Sequence, residues 1–197
     1  MELILLTGVV LVSIHICQGY DLSHNKVKAE IRKHVLKDYD RIVGPVKYGD
    51  TQYLEVKFRL SITNLVEVNT KEQNLKIDAW VWQKWYDEFL AWNSTNFKKI
   101  GYTVFSPKEV WVPDIALINN ADRTERLAGG PTKFVTNINA WRKGSMTWLS
   151  PATFSSTCVQ NVKTWPMDVQ NCILTFGSCT YPKKNLVIVP ITETYTK

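Results

Sequence analysis

The chain has 197 residues with 24 Lys plus Arg against 18 Asp plus Glu, a formal charge of +6, and is 45% hydrophobic and 21% charged. That is the length of one compact domain, with enough apolar content for a core, which excludes wholesale disorder. No apolar run reaches the roughly 18 residues that span a bilayer. The longest is interrupted by Thr7, Gly8, Ser13 and His15, so these residues on their own do not make an integral channel or pump.

Residues 3–17 read as the apolar core of a secretory signal, with Cys17-Gln18-Gly19 offering a small residue at the cut. The expected division is therefore a signal peptide at 1–19 and a single domain at 20–197. Glu2 is the only charged residue in the leader, so its loss leaves the chain still more basic. Export places Cys158, Cys172 and Cys179 in an oxidising compartment, where a pair closes. The basic residues are scattered: Lys26, Lys28, Arg32, Lys33 and Lys37 lie on one segment, Lys98-Lys99 and Lys183-Lys184 on others. That dispersion reads as solvated faces and helix ends rather than a nucleic-acid surface. Asn93-Ser94-Thr95 is a glycosylation sequon, which suits a loop of a secreted protein.

Along the domain, Val27, Ile31, Val35, Tyr39 and Ile42 recur at helical spacing, which predicts one amphipathic helix ended by Gly44-Pro45. The period then changes. Leu54, Val56, Phe58, Leu60 and Ile62 alternate with polar residues, as do Leu75, Ile77, Ala79 and Val81, each reading as a half-buried strand. Further strands are expected near 132–141, 146–150, 172–176 and 185–189, with turn signals at Gly129-Gly130-Pro131, Lys143-Gly144 and Tyr181-Pro182. One helix followed by short strands predicts an all-β fold, an antiparallel β-sandwich. Trp80 and Trp82 share the parity of Lys76 and Asp78 rather than that of the apolar set. They face outward, either as a contact surface or beneath a loop of the same chain.

Cys158 and Cys172 enclose thirteen residues that end in Trp165-Pro166-Met167-Asp168-Val169-Gln170-Asn171. The chain here resembles the extracellular ligand-binding domain of a Cys-loop, or pentameric ligand-gated, receptor subunit of the nicotinic acetylcholine type. Three further blocks carry the likeness. They are Trp80, Trp85, Asp87, Leu90 and Trp92; Trp111, Pro113 and Asp114 through Asn119, Asn120, Ala121 and Asp122; and Gly144, Trp148, Pro151, Ala152 and Ser156 leading into Cys158. The resemblance runs from about residue 27 to 189. Met167 departs from the nicotinic pattern, which leaves cation or anion selectivity open.

The resemblance implies a Cys158–Cys172 disulfide, which stabilises by ~3 kcal/mol in the chain-entropy model. It implies a five-fold ring of like or related subunits at the cell surface, with a cleft for a small cationic, acetylcholine-like neurotransmitter at each subunit interface. On the complementary face, Trp80 takes the aromatic position, and Asn139, Thr147 and Leu149 lie beside it. The principal face is degenerate: Ile118 and Cys179 stand where rings are expected, with Tyr181 following, and the last two strands of the domain are absent. Trp165, Pro166, Met167 and Asp168 would form the gating tip. Cys179, left unpaired, reads as a buried small hydrophobe, an intermolecular link or a reactive thiol, and burial is the expectation because the position lies at the end of a core strand.

Three readings follow from these residues: an incomplete, complementary-face channel subunit, a secreted soluble ligand-binding protein, and an adhesion-type sandwich with no small-molecule site. The first is preferred, because a soluble binding protein of this type keeps its full aromatic box. No enzyme is expected. G-x-S-x-G, H-E-x-x-H and a phosphate-cradling glycine loop are missing, and of three histidines His15 leaves with the leader while His24 and His34 lie on the helix. No cofactor is expected, and the cysteines lack the spacing of a zinc site.

Overall fold

The computed structural model describes residues 22–45, 53–122, 135–164 and 167–191. The signal peptide expected at 1–19 lies outside the described residues. Helix α1 (Leu22–Val35) opens the fold, followed by β1 (Leu54–Asn69), β2 (Asn74–Tyr86), β3 (Tyr102–Phe105), β4 (Ile115–Leu117), β5 (Ile138–Trp141), β6 (Ser145–Thr157), β7 (Phe176–Ser178) and β8 (Leu186–Pro190). Six strands form one sheet in the order β3-β5-β6-β2-β1-β8, and β4 pairs with β7 in a second layer. The sandwich is antiparallel except where β8 runs parallel to β1, from Leu54↔Leu186 to Phe58↔Pro190.

Strand β2 organises both halves of the core because its side chains alternate strictly. Ile77, Ala79 and Val81 are buried against Leu117 of β4 and Phe154 of β6, with Phe176 of β7 packed on them. The ring of Phe176 meets Phe154 edge-on at 5.3 Å between centroids. Further along the same face, Trp85 joins Leu54, Val56, Phe105, Val110, Trp111, Ile138 and Met146 under α1. Val27 and Ile31 bring the helix onto this cluster, each buried side chain contributing roughly 1.5–3 kcal/mol.

The helix is shorter than its spacing predicts. It stops at Val35, and the carboxylate of Asp40 accepts a 2.8 Å hydrogen bond from the Ile42 amide, a local turn that competes with helical pairing. Ile42, placed on the apolar face by periodicity, is 79% exposed. Tyr39 is half-buried by a different route, taken up below.

Alternation in β1 also fails beyond its first half. Leu54 and Val56 are buried, but register shifts lie between Ile62 and Asn64 and between Leu65 and Glu67, and Ile62 is exposed. Strand β8 pairs with β1 no further than Phe58, so the distal half has no neighbour on that side among the described residues. Strand β6 runs on past the expected 146–150 through Pro151. Pairing with β5 is confined to Asn139↔Thr147 and Ala140↔Met146, and that side of β6 is next taken up at Ser156, bridged to Asn120, so among the described residues the missing N–H of Pro151 costs no ladder bond there. The expected strand at 172–176 forms instead at Phe176–Ser178, and that at 132–141 is a strand at Ile138–Trp141, with 132–134 outside the described residues.

Candidate functional site

The outward face of the large sheet gathers the residues expected on the complementary side. Register places Trp80 opposite Pro151, Trp82 opposite Leu149 and Lys84 opposite Thr147, and Thr147 in turn opposite Asn139. Directly opposed residues of antiparallel strands project to the same face, so Trp80, Trp82, Leu149, Thr147 and Asn139 line one surface across β2, β6 and β5. Trp80 is 38% exposed although indole carries a large apolar area, and no register shift alters its outward parity.

A residue not singled out from the sequence extends this surface. Tyr102 on β3 donates a 2.9 Å hydrogen bond to Oδ1 of Asn139, packs against Trp141 at 5.8 Å between centroids, and lies under the ammonium of Lys28 at 5.1 Å. Its alternation signal was confined to a four-residue strand, too short to stand out.

The residues expected on the principal side lie in the other layer, around β4 and β7. Ile118 follows β4, donates its amide to the Thr175 carbonyl at 2.7 Å, and is 58% exposed. Its side chain covers Gly177, where an added Cβ would lie 3.3 Å from Ile118 Cδ1. Cys179 is exposed, with a free thiol, which corrects the expected burial. The cause is Asp114. Its Oδ1 accepts from the Ser178 hydroxyl and its Oδ2 from the Thr180 amide, both at 2.6 Å, and with the residues on either side turned to one carboxylate, Cys179 between them faces solvent. Burial opposes ionisation of Asp114, but the hydrogen bonds from Ser178 and Thr180 outweigh it and hold the carboxyl below its usual range. Tyr181 turns inward: its hydroxyl accepts 3.1 Å from the Trp111 indole N–H, and the two rings meet edge-on at 6.0 Å.

At one end of the molecule the Cys158–Cys172 disulfide closes the loop, with Cα atoms 5.1 Å apart. The loop is tied to the β1–β2 turn: the Cys158 amide donates to the Gln73 carbonyl at 2.8 Å, and the Gln160 amide to the Gln73 side chain at 2.6 Å. Gln170 bridges the loop by accepting from the Asn161 amide and donating to the Asn161 carbonyl, both at 2.9 Å, and it also holds the Asp168 carboxylate. Val159, Met167, Val169 and Ile173 are left exposed, Met167 at 86%. Trp165 and Pro166 lie outside the described residues.

Asn93 is exposed and caps a short 3-10 turn, Ser94–Phe97, accepting from the Thr95 amide at 3.1 Å. Among the described residues no group of three or more His, Cys, Asp or Glu is placed to hold a metal, and no helix is long and apolar enough to cross a membrane.

Residues 28–196 match the family model of the neurotransmitter-gated ion-channel ligand binding domain. Over 190 residues, 96% of this chain and 36% of the relative, the sequence is 33% identical to acetylcholine receptor subunit epsilon of Xenopus laevis. It is 35% identical to human neuronal acetylcholine receptor subunit beta-4 over 79% of the chain and 30% of the relative. With human neuronal acetylcholine receptor subunit alpha-5 it shares 36% identity over 83% of the chain and 34% of the relative. The chain spans about a third of the length of these curated relatives, which are receptor subunits rather than enzymes. An all-β sandwich with its disulfide-closed loop, matched over nearly its whole length to one family model, belongs to the neurotransmitter-gated ion-channel ligand-binding domains, the extracellular domains of nicotinic-type receptor subunits.

Proposed function

We propose that this chain supplies the complementary half of an agonist cleft between neighbouring subunits of a pentameric channel, and that the agonist is a small cation of the acetylcholine kind. The observation that carries the reading is Trp80. It stands half-exposed on the open face of the large sheet, on the same surface as Leu149, Thr147 and Asn139. An indole face presented to solvent attracts a quaternary ammonium by ~0.5–2 kcal/mol. The other half of the cleft then belongs to a neighbour. In this chain Ile118 and Cys179 offer no ring, and the hydroxyl of Tyr181 is committed to Trp111.

The exposed apolar end formed by Val159, Met167, Val169 and Ile173 beside the β1–β2 turn supports a role for the disulfide loop in passing cleft closure to a pore domain. Met167 and Asp168 are proposed to act at that tip, together with Trp165 and Pro166, which lie outside the described residues. Asn93 is proposed to carry an N-linked glycan. Glycosidase treatment of the exported chain should shift its mobility, with no shift in Asn93→Gln.

The test of the cleft is agonist binding to assemblies of this chain with a principal-face subunit. Trp80→Ala should weaken binding about 3- to 30-fold while assembly is retained. Unchanged affinity in assembled Trp80→Ala rings would overturn the reading.

A further inference from the structure

A cavity of about 430 Å³ opens at the C-terminal end of α1, among Val35, Asp38, Tyr39, Asp40, Phe89 and Ala91. It is separate from the outward face that carries Trp80. We propose that it is a second ligand site, one that takes a small organic cation with an aromatic body and lies wholly within one subunit.

Three features converge on that chemistry. Among the described residues the walls carry two carboxylates, Asp38 and Asp40, and no Lys or Arg, and His34, which also lines the cavity, has its ring packed 5.5 Å from that of Phe97. Asp40 is held in place by accepting from the Ile42 amide at 2.8 Å, whereas Asp38 takes no partner among the described residues. The nearest guanidinium in sequence, that of Arg41, is drawn away to the Lys108 carbonyl at 2.6 Å. The cavity also lies against the last turn of α1, where a helix bears partial negative charge; of the basic residues in that turn, Arg32 is paired with Glu109, Lys33 does not line the cavity and His34 does. The apolar part of the lining is aromatic. Phe89 is 49% exposed, and Tyr39 offers its ring because its hydroxyl is engaged with Asp87. Rings beside carboxylates favour a cation that an anion or neutral analogue cannot replace.

The floor of the cavity connects to the frame of the domain. Tyr39 lines it and bonds to Asp87 and Trp111, so an occupant rests against residues that hold α1 to the sandwich.

Phenyltrimethylammonium, titrated into the full ¹⁵N-labelled chain, tests this directly. Amides of Val35, Phe89 and Ala91 should shift with a Kd on the order of 1 mM, while benzenesulfonate and benzyl alcohol leave them unmoved. Asp38→Asn with Asp40→Asn keeps the acceptor that caps Ile42 and should weaken the titration about fivefold or more. Phe89→Leu should weaken it as well, and Trp80→Ala should not. Benzenesulfonate shifting the same amides equally, an unchanged response in the double variant, or no response there while the Trp80 face responds would each overturn the proposal. Because the readout is local to single amides and needs no second subunit, its failure is distinct from failure of the interfacial cleft.

Discussion

The phenol of Tyr39 donates a 2.7 Å hydrogen bond to Oδ2 of Asp87, a carboxylate with no exposed surface, and accepts a 3.1 Å bond from the Trp111 amide. One side chain just beyond α1 thereby joins two sequence blocks, the one that runs from Trp80 through Asp87 to Trp92 and the one beginning Trp111-Val112-Pro113-Asp114. Asp87 is further held by the Phe89 amide at 3.1 Å on Oδ1, and its own amide donates to Gly144 at 2.8 Å. Trp111 carries the chain on to Tyr181 through its indole N–H. Arg32 on α1 pairs with Glu109 alongside.

Tyr39→Phe keeps the ring and removes both bonds, leaving the Trp111 amide unpaired and Asp87 short of one donor. Loss of a hydrogen bond to a buried charged partner costs about 1.5–3 kcal/mol, read as a lower denaturation midpoint with an unchanged slope. The pH dependence should change as well. Burial raises the pKa of Asp87 above its ordinary 3.8, and the Tyr39 bond opposes that shift. A carboxyl whose folded pKa is raised binds more protons folded than unfolded, so its contribution to stability falls as pH rises from 3.8 through the folded value. Without the phenol the folded pKa rises further, and the loss of stability across that window becomes larger. Denaturant midpoints of both proteins across the acidic to neutral range check this; parallel curves would remove Tyr39 from the account of Asp87.

Gly144 is the tightest steric point near this network. It adopts φ +85°, a left-handed conformation, and a Cβ there would lie 2.3 Å from the Asp87 carbonyl oxygen. The β5–β6 turn therefore cannot accept a side chain without moving away from Asp87 and losing the bond between them. Gly144→Ala is expected to destabilise by more than about 2 kcal/mol in the same denaturation measurement, whereas Gly101→Ala, with only Arg142 Cδ at 3.9 Å, should change the midpoint little.

Where one layer buries a strand evenly, the sequence pattern and the structure agree. The β2 alternation places Ile77, Ala79 and Val81 inward and Trp80 outward, and the face shared with Leu149 and Thr147 follows from register alone. Agreement fails where a side chain answers to a distant partner. Tyr39 and Ile42 continue the helical period of Val27, Ile31 and Val35, yet Tyr39 is drawn to Asp87 and Asp40 turns the backbone, so the helix stops early. Cys179 looks like a core position at the end of a strand, but Asp114, distant in sequence, captures both of its neighbours. Strands β3 and β4 have four and three residues, too few for any period to show. The cavity beyond α1 has no linear signature at all, since it joins residues 34–43 to Phe89 and Ala91.

Asp114 also sets a second acid dependence, opposite in sign to that of Asp87. Its folded pKa is lowered, because hydrogen bonds from Ser178 and Thr180 outweigh burial. The stability it contributes is fully present above its ordinary 3.8 and is lost as pH falls below that, through the folded value. Asp114→Asn replaces one acceptor oxygen with an NH₂ that cannot accept from both the Ser178 hydroxyl and the Thr180 amide. The segment that carries Cys179 is then released on one side, at a cost of about 1–2 kcal/mol at neutral pH for a partly solvated site. Two measurements follow from one variant. The acid limb of the stability curve should flatten below pH 3.8, and the Cys179 thiol, held outward by its two anchored neighbours, should change its rate of alkylation in the folded chain. An acid limb identical to that of the parent, with Cys179 alkylated at the same rate, would mean that Asp114 does not hold this segment.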